Sequence, residues 1–362
     1  MATRVTASAP ALGGLPRAVL ARPRTRAWRL AVAGILVAVL ASALGVLLGT
    51  VAVPVADTLA VIVDHLVPGA TTSTVSAATD AIVWDLRVPR VLTALVVGTA
   101  LAVAGATFQG LLRNPLADPY VLGTASGAAL GAAIAVLIPV RFVIVGFGLV
   151  QVLAFAGALI AVTAVYRLSR MGGLSPLTSL LLTGYAVGSL LAAGLAMAMY
   201  LSGAQLRQIF TYLLGSFDAA SWTRLAWALP IVAIATVAIL LRARTLNGLL
   251  LGEETAANLG VNVARERGIL LGLASLATAA AVAISGLIGF VGLVVPHVVR
   301  LVVGPSARLV LPLSAICGAA LMAYADLVAR LLGEIPVGVV TAVIGAPFFL
   351  LILRRARAGY EV

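Results

Sequence analysis

The chain carries ten apolar runs, at about 30–53, 90–112, 120–139, 142–166, 177–201, 223–241, 268–286, 287–303, 309–329 and 337–353. A helix rising 1.5 Å per residue needs about 20 apolar residues to cross a bilayer. In hydrocarbon the backbone has no water to bond, so only helices or closed barrels can span it. Barrel strands alternate apolar and polar residues. These runs do not alternate, and their many Gly and Ala residues suit helices packed closely in lipid. The expected fold is an all-α integral membrane protein of about ten transmembrane helices with both termini cytoplasmic. Charged residues make up 10% of the chain, against about 25% in soluble proteins, so almost nothing is left for a soluble domain. Residues 1–29, with six arginines and no apolar period, are expected to be a disordered basic tail. Residues 30–355 form one transmembrane domain, and 356–362 a second cytoplasmic tail. Residues 54–85 read as a polar loop. A hairpin is required around Arg141. The stretch 268–303 is too long for one span and is divided at Ser285-Gly286.

All 24 basic residues are arginine. With the N-terminus inside, 18 of them fall on inner segments and 6 on outer ones, namely Arg87, Arg90, Arg141, Arg207, Arg224 and Arg330. That asymmetry follows the positive-inside rule and supports ten spans, since dropping one would put later arginines on the wrong side. The net charge of +12 is therefore mainly topology, and nucleic acid is not an expected partner. A P-loop places a lysine on the nucleotide phosphates. A chain without lysine lacks a standard nucleotide site, so any ATP must be hydrolysed by a partner. Cys317 is the single cysteine, and His65 and His297 are far apart, so no metal-ligand set is visible.

Ionisable residues inside spans mark ion pathways. Apart from Asp326 and Arg330, near an outer end, the spans hold almost none. That weighs against a proton-coupled secondary transporter or efflux carrier, and no filter sequence suggests a channel. What remains is a passive translocation subunit driven from outside the membrane. Two connections are more than links. Outside, Gln205–Gly215 has mixed faces and reads as a short interfacial helix. Inside, Gly248–Gly268 is the longest internal connection. Glu253 and Glu254 open a helix there, Gly260 suits the C′ position that ends it, and a second short helix is expected at about Ala264–Arg267. This segment could be gripped by a partner or lie on the membrane surface. Arg87 and Arg90, three apart, share a face. They and Arg330 could be interfacial anchors, and Asp326 could pair with Arg330 at i,i+4. Trp28, Trp84 and Trp222 fall near span ends, as interfacial aromatics do.

The pattern LRxPR…GxxxQ…NPLADPxxLG, from Leu86 to Gly123, resembles the FecCD (BtuC-like) permeases of binding-protein-dependent ABC importers. These carry ferric siderophores, haem or cobalamin. The resemblance covers about Asp85 to Arg355. It implies a multi-pass subunit of the bacterial cytoplasmic membrane that is not an enzyme, works as a homodimer and binds no cofactor. Two separate ATPase subunits would hold ATP and Mg, and a soluble or lipid-anchored binding protein would deliver the cargo. By the same resemblance Arg87, Arg90 and Arg330 meet carboxylates of the binding protein. Asn114, Leu116 and Thr178 form a cytoplasmic gate. Glu253, Glu254, Ala257, Leu259 and Gly260 contact the ATPase through coupling helices within 248–268. No metal site is implied.

Overall fold

Each apolar run becomes a helix in the computed structural model, which describes residues 17–69, 75–138, 143–144, 147–171 and 176–358. In order these are α1 (Arg17–Leu47), α2 (Val55–Leu66), α3 (Ala77–Asp80), α4 (Val88–Leu111), α5 (Thr124–Leu137), α6 (Leu149–Ser169), α7 (Pro176–Leu201), α8 (Leu206–Leu214), α9 (Trp222–Leu241), α10 (Ala243–Leu250), α11 (Glu253–Asn258), α12 (Val263–Ser285), α13 (Val291–Val303), α14 (Ala307–Leu331) and α15 (Val337–Ala358). Seven helical segments are long and apolar enough to cross a membrane. Three shorter apolar helices, Thr124–Leu137, Val291–Val303 and Val337–Leu351, occupy the remaining expected positions. The 13 residues of α13 reach only about 20 Å at 1.5 Å each, and the non-helical stretch from Gly286 to Phe290 precedes it.

Several boundaries differ from the sequence expectation. Helix α1 starts at Arg17, well inside the segment expected to be a disordered tail, because Ala, Leu and Arg carry helix outward from the apolar run. The segment 54–85 is mostly helical rather than a loop. Helix α2 lies within it, and Ser76 caps α3 by accepting from the Thr79 N–H at 3.1 Å. From there α3, a π-helical turn (Ala81–Arg87) and α4 run on as one helix, Ala77–Leu111. The wide turn just ahead of Pro89 is where the ring's missing N–H is absorbed. Residues 264–267 are the first turn of α12 rather than a separate helix, since nothing between them and Ser285 breaks it. Helix α6 starts at Leu149, after a two-residue antiparallel ribbon of β1 (Val143–Ile144) and β2 (Phe147–Gly148). Arg141 lies outside the described residues. The division at Ser285-Gly286 is where α12 ends.

Helix α4 is the axis of the molecule, packed by α1, α9, α10, α12, α13 and α14. Its glycines set the distances. A Cβ on Gly98 would meet the backbone of Gly318 on α14, and one on Gly105 the backbone of Gly292 on α13. Small residues let helices approach this closely where lipid offers no hydrophobic driving force. Helices α5 and α6 repeat the device with Gly127 against Gly157. Helix α7 differs from α4 in leaving Tyr185, Leu190 and Tyr200 exposed on its surface.

Candidate functional site

At the outer end the three predicted arginines converge, and each is already bonded. Arg87 donates from Nη1 to the carbonyls of Val46 (2.9 Å) and Leu47 (3.0 Å) and from Nη2 to Val51. Arg330 donates from Nη1 to Gly45 O at 2.6 Å. Together they satisfy carbonyls at the C-terminus of α1, where helix carbonyls lack partners and cations are favoured. Glycine makes the room: a Cβ at Gly45 would lie 2.7 Å from Arg330 Nη2, and one at Gly49 2.9 Å from Arg87 Nη2. Asp326, 1% exposed, is the shared counterion. It pairs with Arg330 Nη2 at 3.1 Å, as the i,i+4 spacing suggested, and accepts from Arg90 Nε at 2.9 Å. Arg90 Nη1 also holds Asp218 at 3.0 Å. None of the three arginines projects freely into solvent. They line an outer depression of about 240 Å³ with Asp218, Glu334 and Phe217.

The inner end of α4 turns through the polar elbow. Arg113 takes a left-handed conformation at φ 47°, and Asn114 Oδ1 accepts from the Leu116 N–H at 2.9 Å, closing an Asx turn. Asp118 caps the following 3₁₀ turn (Pro119–Leu122) through the Tyr120 N–H at 2.8 Å. Burial pushes its carboxyl up to about 6, opposed by that same bond. Two ties fix the elbow. Tyr120 Oη donates to Ile288 O at 2.9 Å, and Arg113 Nε donates to Leu249 O of α10 at 3.0 Å. The 3₁₀ turn packs on α7. Asn114 is exposed, Leu116 is half-buried, and Thr178 is exposed at the start of α7.

Helix α11 protrudes on the inner side. It ends in a Schellman motif: the Gly260 N–H donates to Ala257 O (2.9 Å) and the Val261 N–H to Ala256 O (3.0 Å), with Gly260 at φ 82°. Ala256 is fully buried and anchors it. Glu253 pairs with Arg267 of α12 at 2.5 Å and so holds the helix in place. Glu254, Ala257, Leu259 and Gly260 are exposed, Leu259 at 66%.

Sequence reasoning missed three features. Asp218 belongs to no motif. Gln109, buried on α4, donates to Leu293 O (3.0 Å) and accepts from Arg300 Nη1 (2.8 Å), which bolts α4 to α13. His65 stacks on Trp84 at 4.2 Å and pairs with Asp80 at 3.0 Å, while Trp222 donates from Nε1 to Trp84 O at 2.8 Å. Gln109 stood in the GxxxQ pattern, and His65 lies in the same segment as Asp80 and Trp84, but Arg300 and Trp222, which complete the two sets, are far away in sequence. Among the described residues no three His, Cys, Asp or Glu side chains converge.

The model of the FecCD transport family matches residues 18–355. The cobalamin import system permease protein of Halobacterium salinarum is 48% identical over 274 residues, covering 75% of this chain and 73% of that protein. The hemin transport system permease protein of Yersinia pestis is 43% identical over 281 residues, covering 76% and 84%. A structure described as a metal-chelate type ABC transporter in an inward-facing conformation superposes with a TM-score of 0.76 at 28% identity, over 90% of this chain and 99% of that one. None of these relatives is named as a proton-coupled carrier, so that alternative gains no support.

Proposed function

The chain belongs to the FecCD transport family, and from that premise we propose that two copies pair in the cytoplasmic membrane as the pathway of an importer for cobalamin, haem or a ferric siderophore. The chain itself is an ABC-importer permease subunit and not an enzyme. Each copy engages one ATPase subunit, which holds ATP and Mg, and the pair receives cargo from a soluble or lipid-anchored binding protein. The observation that carries this reading is α11. It is a short helix with a rigid stop, anchored by Ala256 and Glu253, that presents Glu254, Ala257, Leu259 and Gly260 outward. A fixed apolar tip rimmed by charge suits a groove on a soluble partner better than a loose connector does.

Three further assignments fit the same reading. The outer depression is the docking floor, where carboxylates of the binding protein reach Arg87, Arg90 and Arg330; the planar guanidinium fork favours such pairing. Asn114, Leu116 and Thr178 gate the inner end, and the packing of the elbow on α7 couples their positions. The exposed face of α7 is the surface turned to the second copy, so cargo passes between subunits.

The test is co-reconstitution of the chain in proteoliposomes with its ATPase and binding protein. Uptake of cyanocobalamin, haemin or a ferric siderophore is expected only with ATP, and a protonophore should not affect it. Uptake by the chain alone, collapsed by a protonophore, would overturn the reading. The names of the two relatives put cobalamin and haemin first among the cargoes to assay.

A further inference from the structure

We propose that Asp218 is a resident stand-in for the binding protein's carboxylate, occupying Arg90 while nothing is docked and yielding it on docking. The inference rests on the docking reading above. Arg90 holds two carboxylates of opposite character. Asp326 is 1% exposed and shared with Arg330, so removing it would strand buried arginines. Asp218 is 52% exposed, and Arg90 is its one ion-pair partner among the described residues. It lies in a non-helical segment between α8 and α9, where its backbone N–H donates to Ser216 Oγ at 3.0 Å. An ion pair with one partner half in water contributes little, so a better-placed carboxylate can replace it. The depression is also balanced for exchange. Arg87, Arg90 and Arg330 line it with Asp218 and Glu334, the buried Asp326 beneath makes three carboxylates for three arginines, and swapping one carboxylate for another leaves that balance unchanged.

The displaced group has somewhere to go. Asp218 also lines a second cavity, of about 790 Å³, together with Arg224, Gln205, Gln208 and Thr211. The guanidinium of Arg224 has no ion-pair partner among the described residues. A carboxylate turning from Arg90 into this cavity therefore leaves one cation for the field of another. The segment that turns is tied to the break between α12 and α13, because Ser216 N–H donates to Ser285 O at 2.8 Å, and to α15 through Gly215 O, which accepts from Gly338 N–H at 3.3 Å. Docking at the rim would then be felt at α15.

The experiment measures the Kd of the binding protein for the permease–ATPase complex in nanodiscs. Asp218→Asn should tighten docking about three- to tenfold, because the incoming carboxylate no longer competes. Asp218→Glu should stay close to wild type. Arg224→Gln should weaken docking by a similar factor, and should have no effect once Asp218→Asn is present. Arg90→Gln tests the underlying reading and should weaken docking at least tenfold. If Arg90→Gln weakens docking while Asp218→Asn leaves it unchanged or weaker, the stand-in is wrong and the docking site stands. If Arg87→Gln, Arg90→Gln and Arg330→Gln all leave docking unchanged, the docking site fails and the stand-in with it.

Discussion

Gly105 occupies a place that no other residue fits. A side chain there would meet the Gly292 backbone rather than a flexible neighbour. Gly105→Val should therefore destabilise the detergent-solubilised protein by roughly 1–3 kcal/mol or more, read as a lower thermal midpoint. Gln109 is the polar counterpart four residues further along α4. Gln109→Leu would leave the Arg300 guanidinium without its 2.8 Å acceptor. A hydrogen bond to a charged group contributes about 1.5–3 kcal/mol, and a loss of that order is expected; Gln109→Glu keeps the acceptor for Arg300 but loses the donor to the Leu293 carbonyl, and should recover only part of it. The sequence marks both positions as unusual, a glycine and an amide in an apolar run. It cannot say that Gly292 and Arg300 face them, because those partners lie more than 180 residues away.

Helices were legible where the period and the stop signal agreed. Helix α11 is the clearest case: two acidic residues at its start, favourable to the helix dipole, and a glycine where a left-handed C′ residue is needed. The beginning of the α3–α4 helix was not legible. Ala-Ala-Thr-Asp and Trp-Asp-Leu-Arg mix polar and apolar residues, and Pro89 looks like a barrier until a π turn accommodates it. Helix α2 was hidden in a segment whose Pro68-Gly69 and Thr/Ser cluster signal loop more loudly than its apolar stripe signals helix. At this scale the exposed tip around α11 makes a definite claim. Replacing Leu251, 69% exposed, and Leu259 together with serine should weaken ATPase association at least tenfold, about 1.4 kcal/mol. Thermal stability of the permease alone should stay within about 0.5 kcal/mol of wild type.

Seven long and three shorter apolar helices, each taken as one crossing, would leave the start of α1 and the end of α15 on one side of the membrane, and the arginine distribution orients them. A labelling experiment tests that frame with the lone thiol removed. In a Cys317→Ser background, Glu254→Cys should react with an impermeant maleimide only from the cytoplasmic face, and Glu334→Cys only from the outer face. Reaction of both from one face would mean that α12, α13 and α14 do not make three crossings. The composition and the arginine pattern made this much readable, because they reflect the solvent around each segment. The site geometry was not readable, because it is made of meetings between segments. Arg87 and Arg330 complete the end of α1 from positions 40 or more residues away, and no local pattern records that.

Backbones that meet at glycine cannot slip along each other without riding over a ridge of side chains. The contacts of Gly98 with Gly318 and of Gly105 with Gly292 therefore make α4, α13 and α14 a stator, one rigid block running from the outer arginines to the inner elbow. Helix α7 stands apart from that block and packs on α5 and α6. It meets the block's inner end at the elbow, where Gly184 lies against the Val121 carbonyl. On the proposed pathway beside α7, an opening of the inner end would turn α7 about this contact instead of bending α4, and the outer depression would keep its shape.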